Sequence, residues 1–369
     1  MKILRKEVLR YMIKSELLRR NVPDFFIADN KKITSLGEWE KHRTKLKSLF
    51  LSEEYGHLPP KLTPKIETTD GELNFADKVT WETICFTFEN EGKSHTVKAD
   101  LLLPKDKTGV PVFISIGFKK EVPNKYLPLE EIIDNGFGVF HFYYENVTSD
   151  DGDFENGLAG LFTGAGKEFG KISLWSYFAS FMMDYLETRS EVDKNNVAII
   201  GHSRLGKTAL LTSALDERFV LTCVNESGCC GASLSRGKVE ENETIVKITD
   251  TFPFWFKESY LQYRDNEDAL PFDQHMLLAL VAPRNVVVGG AYKDVWADNE
   301  GQMLSAYLAS YAWELYGKDG LICGDALPKA GDKFLDGNVG FYLRDGSHFL
   351  SRDDWHVYMT KFKEILNKQ

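Results

Sequence analysis

The stretch NVAIIGHSRLGKTALL, running from Asn196 to Leu211, reads as a short apolar strand, a Gly-His-Ser-Arg-Leu-Gly-Lys turn and the opening of a helix. A hydroxyl on a sharp turn between a buried strand and a helix N-terminus is pushed out where a substrate can reach it. The helix end adds free backbone N–H groups and a positive dipole, which suit a developing oxyanion. Ser203 is therefore the candidate nucleophile. The string alone is a weak signal, because Leu205 stands where a second glycine is usual and Gly206 comes one residue later. Its weight comes from what surrounds it.

Working outward, short apolar runs alternate with helix-length amphipathic segments, the pattern of parallel strands joined by crossover helices. The runs are PVFISIG (Pro111 to Gly117), FGVFHFYY (Phe137 to Tyr144), NVAIIG (Asn196 to Gly201), FVLTCVN (Phe219 to Asn225), NVVVGGA (Asn285 to Ala291) and VGFYLRD (Val339 to Asp345). Helices are expected at Leu129 to Asp134, Ile172 to Arg189, Leu205 to Leu215, Gln302 to Leu315 and Asp353 to Leu366. Upstream, Val79 to Leu103 alternates, with Ile84, Phe86 and Phe88 on one face and Val79, Trp81, Thr83 and Cys85 on the other. Asn90-Glu91-Gly92 turns it into a hairpin. A hairpin followed by six such strands is an α/β arrangement: the α/β-hydrolase fold, a mostly parallel sheet flanked by helices in a three-layer sandwich.

Residues 1–72 are expected to form an N-terminal helical extension packed on a catalytic domain of residues 73–369. Ser35 and Glu38 have capping-box spacing, and Trp39, Leu46, Leu49 and Phe50 supply the apolar face of a helix stopped by Gly56 and Pro59-Pro60. Two longer excursions, Glu145 to Phe169 and Gly228 to Asp268, leave the strand-helix pattern and are candidate walls of a cleft.

Composition narrows the function class. The 369 residues are 43% hydrophobic and 27% charged, ordinary for a globular chain with a large core. A net charge of −10, with lysines and arginines scattered among acidic residues, disfavours nucleic acid as a partner. The longest apolar runs, such as LLALVAP, fall far short of the roughly 18 to 20 residues that span a bilayer, so no membrane partner is expected. The basic N-terminus MKILRKEVLRYMIKSELLRR lacks the apolar core of a secretory signal. A cytoplasmic location is the expectation, or a secreted one if a leader has been trimmed. Cys85, Cys223, Cys229, Cys230 and Cys323 form no Cys-x-x-Cys pair and are expected to be reduced, with Cys229 and Cys230 as small residues in a tight turn.

A nucleophilic serine needs a base and an acid to orient it, in the chain order Ser, acid, His. Of eight histidines, only His275, His348 and His356 follow Ser203. His348 sits directly after the last strand, where a loop brings an imidazole back over the nucleophile, whereas His275 and His356 fall within expected helices. Two acids contend: Asp294 after the penultimate strand and Glu226 after the strand that follows the nucleophile helix. Spacing does not choose between them. Arg204 is a cation at a helix N-terminus, where the dipole disfavours it, and makes better sense facing an anionic ligand or an oxyanion; Lys207 repeats the pattern one turn on.

GHSRLGK, then ALDERF, NESGCCGASLSR, FPFWF, LPFDQHMLLALVAPR and DVWAD, with the earlier FYYENVTSDDGDFENGLAGLF, resemble the bacterial branch of the glucuronoyl esterase family, carbohydrate esterase family 15, in order and approximate spacing. The resemblance runs from about Trp39 to the C-terminus. It implies a serine esterase that needs no metal or cofactor and cleaves esters of 4-O-methyl-glucuronic acid side chains on xylan. It implies Ser203 as nucleophile, His348 as base, Glu226 as acid with Asp294 at a position where other members keep one, and Arg204 at the oxyanion. It also places Lys207, Glu243 and Trp296 at positions that look like sugar contacts. The implied partner is a uronate-ester-bearing oligosaccharide or polysaccharide. His202 stands where fungal members have a cysteine, so a disulfide there is excluded. The rival readings are an acetyl xylan esterase or other carbohydrate deacetylase, and a non-catalytic carbohydrate-binding protein on a hydrolase scaffold.

Overall fold

The protein is seen in a computed structural model that describes residues 12–24, 26–28, 31–71 and 77–368. Near its start, a two-residue ladder pairs β1 (Ile27–Ala28) with β2 (Lys31–Lys32). The helix α1 (Leu36–Glu53) follows. Ser35 and Glu38 close the capping box at its N-terminus, and it buries Trp39, Leu46 and Phe50.

A ten-stranded sheet organises the rest. Its strands are β3 (Lys65–Asp70), β4 (Val79–Asn90), β5 (Lys93–Pro104), β6 (Val110–Gly117), β7 (Gly138–Tyr143), β8 (Val192–His202), β9 (Leu221–Asn225), β10 (Asn285–Ala291), β11 (Lys333–Phe334) and β12 (Val339–Arg344). They lie in the order β11-β12-β10-β9-β8-β6-β7-β5-β4-β3. The six expected apolar runs become six mutually parallel neighbours, β12 through β7, and the hairpin β4-β5 joins them antiparallel. Glu91 and Gly92 turn that hairpin with positive φ, as a two-residue loop requires.

The edge strand β3 escaped the sequence reading. All six of its residues are exposed, so it has no apolar alternation to announce it. It lies within residues 1–72 yet completes the main sheet by pairing with β4, so that segment is tied to the rest by backbone hydrogen bonds as well as by packing.

Helices cover both faces. The first set is α2 (Leu129–Asp134), α3 (Lys171–Leu186) and α4 (Arg204–Leu215). Further on come α5 (Ile245–Thr251), α6 (Gln274–Ala279), α7 (Asn299–Leu315) and α8 (Arg352–Leu366). Strand residues alternate between two cores. Ile199, Val286 and Val288 pack with Trp175 of α3, Leu210 of α4 and Trp313 of α7; Ile200 and Val287 pack with Ile132 of α2 and Trp355 of α8. Burial on both faces explains why the central runs read as nearly continuous apolar sequence.

Candidate active site

Four strands that are successive across the sheet, β8, β9, β10 and β12, carry the candidate residues at their C-terminal ends. Register keeps those ends level: His202 lies opposite Asn225, Asn225 opposite Gly289, and Ala291 opposite Arg344. Strands about 4.8 Å apart put β12 some 14 Å from β8, a gap that one short loop bridges.

Ser203 is the turn between β8 and α4, at φ 57° and ψ −127°, a backbone conformation that costs a non-glycine residue energy and is kept only where the surroundings enforce it. Its N–H donates to the Asn225 carbonyl at 2.9 Å. Gly201 is required here because a Cβ would collide with the Leu205 carbonyl, and Gly206 lies close to the Asn225 carbonyl and Ser227. The shifted second glycine thus performs helix-on-strand packing at 206, while Leu205 is a buried core residue.

His348 lies in the loop after β12, with its ring 4.4 Å from that of His202, the neighbour of Ser203. Its Nδ1 meets both contending acids: Asp294 Oδ2 at 2.6 Å and Glu226 Oε2 at 3.2 Å. Both carboxylates are buried, while His348 is exposed. His275 and His356 lie in α6 and α8.

Partial burial works against a charged His348, yet its donation to Asp294 and the neighbouring Glu226 carboxylate outweigh it and carry its pKa up to about 9. Burial pushes Glu226 up to about 7 against the pull of His348 and Arg344, whereas Asp294 stays below its ordinary value despite burial because of its bond to His348. The three titrate as one unit. Burial, with the adjacent His348 charge adding to it, drives His202 down to about 3 and keeps it neutral. A base must be deprotonated to act, so kcat/KM is expected to rise with pH towards 9. Removing an anionic partner destabilises the imidazolium and lowers its pKa, so Asp294→Asn should move that limb to lower pH; a pH–rate profile of both proteins checks it.

Arg204 does not point freely at solvent. One Nη1 is ion-paired with Asp150, and the guanidinium carbon lies 4.6 Å from the Trp255 ring and 4.8 Å from that of Phe252. Tyr144 and Trp255 also donate to Asp150, at 2.8 and 2.6 Å. Asp150 and Trp255 come from the two long excursions, which meet here. Sequence reasoning flagged both loops but not Asp150, whose pairing spans 54 residues. Arg204 Nε is buried and lacks a hydrogen-bond acceptor.

Lys207 is only 2% exposed; its ammonium donates to the Ser227 carbonyl and pairs with Glu243 Oε2 at 3.1 Å. Glu243 also accepts from the Cys229 N–H at 3.0 Å. Trp296 is 44% exposed, with the Lys247 ammonium 4.9 Å from its ring. All five cysteines are free, and Cys229 and Cys230 are buried. Among the described residues, Glu226, Asp294 and His348 are also a set of metal-type donors with ligand atoms within 4.8 Å of one another, with His348 Nδ1 hydrogen-bonded to Asp294 and within ion-pair distance of Glu226. No helix among the described residues is long and apolar enough to cross a membrane.

Known esterases resemble this chain over most of its length. The family model for fungal glucuronyl esterases matches residues 86–317. A carbohydrate esterase from an unknown prokaryotic organism is 33% identical over 94% of this chain and 89% of its own length. A 4-O-methyl-glucuronoyl methylesterase of Schizophyllum commune is 28% identical over 74% of this chain and 68% of its own. Among solved structures, a glucuronoyl esterase from Solibacter usitatus superposes with a TM-score of 0.84 at 30% identity, covering 93% of this chain and 97% of that one. A family 15 carbohydrate esterase from a marine bacterial metagenome, described as promiscuous, gives 0.82 at 31%, over 93% and 96%. With the α/β-hydrolase sheet, the serine elbow and matches over most of its length, the chain belongs to the glucuronyl esterase family.

Proposed function

We propose that the protein hydrolyses carboxylic esters of a glucuronate-type uronic acid borne by a xylan-type oligosaccharide or polysaccharide, through an acyl-enzyme on Ser203. The observation that carries this reading is the pair of carboxylates facing His348 Nδ1, with the His348 ring 4.4 Å from that of His202, the residue before a serine at positive φ, in a chain of this family. With Nδ1–H facing Asp294 and Glu226, Nε2 is the nitrogen left for the serine proton.

Ser203 Oγ attacks the C6 carbonyl as His348 takes its proton. Collapse of the tetrahedral adduct breaks the bond to the alcohol oxygen, which leaves with the proton from His348. Water, deprotonated by the same imidazole, then cleaves the Ser203 ester and releases the uronate. Gly206 and Lys207 donate their N–H groups to the Ser203 carbonyl, which leaves the first-turn N–H groups of Arg204 and Leu205, and the one next to the nucleophile, that of Arg204, is assigned to the oxyanion. The orphaned Arg204 Nε adds a second donor of the right charge. Trp296 offers an exposed face for a pyranose, while Lys207 and Glu243 act from beneath as a buried pair that holds the 227–229 turn.

Hydrolysis of benzyl glucuronate, compared with release of acetate from an acetylated sugar, tests the proposal. Turnover of the glucuronate ester is expected to dominate. Acetate release alone would make the protein a carbohydrate deacetylase, and saccharide binding with neither reaction would make it a lectin-like relic of the fold.

A further inference from the structure

One guanidinium outside the reacting set touches everything that places the base. Arg344 is the last residue of β12, four before His348. Its Nη2 donates to Glu226 Oε1 at 2.7 Å, to the Ser347 carbonyl at 2.9 Å and to the Phe349 carbonyl. The two carbonyls belong to the residues on either side of His348, so the turn that presents the imidazole is gripped from both sides. The Phe349 N–H returns the contact by donating to Glu226 Oε2 at 3.2 Å.

The other edge of the guanidinium is anchored. Arg344 Nε donates to Asp354 Oδ1 and Oδ2 at 3.0 and 2.9 Å. Asp354 is fully buried, and it is itself held: Ser351 donates its N–H and O–H to Oδ2, each at 2.7 Å, in the capping box of α8, and Tyr342 donates to Oδ1 at 2.7 Å. Asn225 Nδ2 reaches the Tyr342 hydroxyl at 3.3 Å, while Asn225 Oδ1 accepts from His202 Nδ1 at 2.7 Å. A polar chain therefore runs from α8 and β12 to the strand end beneath Ser203. Gly346 is part of the fit, because a Cβ there would run into Arg344 Nη1.

We propose that Arg344 is a positioning residue for the general base: its guanidinium locks the turn carrying His348 and the carboxylate of Glu226 into one frame, and so sets the direction in which the imidazole faces Ser203. The proposal rests on the serine-esterase reading above. By holding Glu226 Oε1, Arg344 also leaves this acid only its other oxygen for His348, at the longer distance, with Asp294 as the closer partner. A lysine cannot reproduce the grip, since an ammonium lacks the planar fork that spans two carboxylates and two carbonyls.

The test reads the activation of Ser203 independently of any sugar. A fluorophosphonate probe forms a bond from Ser203 Oγ to phosphorus and loses fluoride, with His348 taking the serine proton, so its second-order labelling rate reports the Ser-His unit whatever the natural ester. Arg344→Met, with thermal unfolding measured alongside, is expected to label roughly 100-fold more slowly, the scale of a misplaced catalytic group. Arg344→Lys should recover part of that rate. Gly346→Ala keeps every charge and only displaces Nη1; it should slow labelling several-fold, and it decides the matter if Arg344→Met does not fold. Wild-type labelling rates in folded Arg344→Met, or in Gly346→Ala, would overturn the proposal alone. A wild-type protein that takes no label while binding saccharide would overturn the serine reading and this proposal together.

Discussion

Ser203→Ala is expected to lower kcat on a glucuronate ester by roughly 10⁵- to 10⁶-fold while leaving KM within a few-fold and the melting temperature nearly unchanged. The magnitude follows from what serine removal does in hydrolases whose triad acts as a unit, where the oxyanion donors and substrate binding alone sustain the residual rate. Stability should hold because the strain at this position is in the backbone: alanine has the same difficulty at φ 57° as serine, and Ser203 makes no side-chain capping hydrogen bond to lose. Steady-state kinetics and a thermal melt of the same preparation check both halves. A variant that keeps a tenth of the wild-type rate would remove Ser203 from the chemistry.

The second large effect concerns the two acids, and its signature is non-additivity. Asp294 Oδ2 and Glu226 Oε2 both address His348 Nδ1, so either one alone can hold the reactive tautomer. Glu226→Gln and Asp294→Asn should each cost only roughly 10- to 30-fold in kcat, with Asp294→Asn the costlier because its contact is shorter. The double variant should fall by about 10⁴-fold or more, the scale seen when an orienting acid is lost altogether. That exceeds what the singles predict if each acid backs up the other. A double variant no slower than the worse single would mean that one carboxylate merely fills space. Glu226→Gln should also lower stability, because it leaves Arg344 beside a neutral partner in a buried site.

Much of this was legible in the chain. Period-two alternation marked the hairpin, apolar runs marked the six parallel strands, and a capping box marked the start of α1; each is a local rule read over a few residues. Strand β3 was not legible, since an exposed edge strand carries no apolar period. The site divided along the same line. Ser203 and His348 announced themselves by their places after particular strands. Asp150 and Arg344 did not, because a buried ion pair between residues 54 or 118 positions apart leaves no mark on either neighbourhood.

By itself the sequence determined the elements and the elbow, and put Ser203, two candidate acids and His348 after successive strands, because these follow from short-range sterics, burial period and turn chemistry. Which acids meet His348, what neutralises Arg204 and what grips the turn that carries His348 were decided only in three dimensions. Strand order and register brought the ends of β8, β9, β10 and β12 level, and only then did carboxylates from two different loops converge on one imidazole nitrogen.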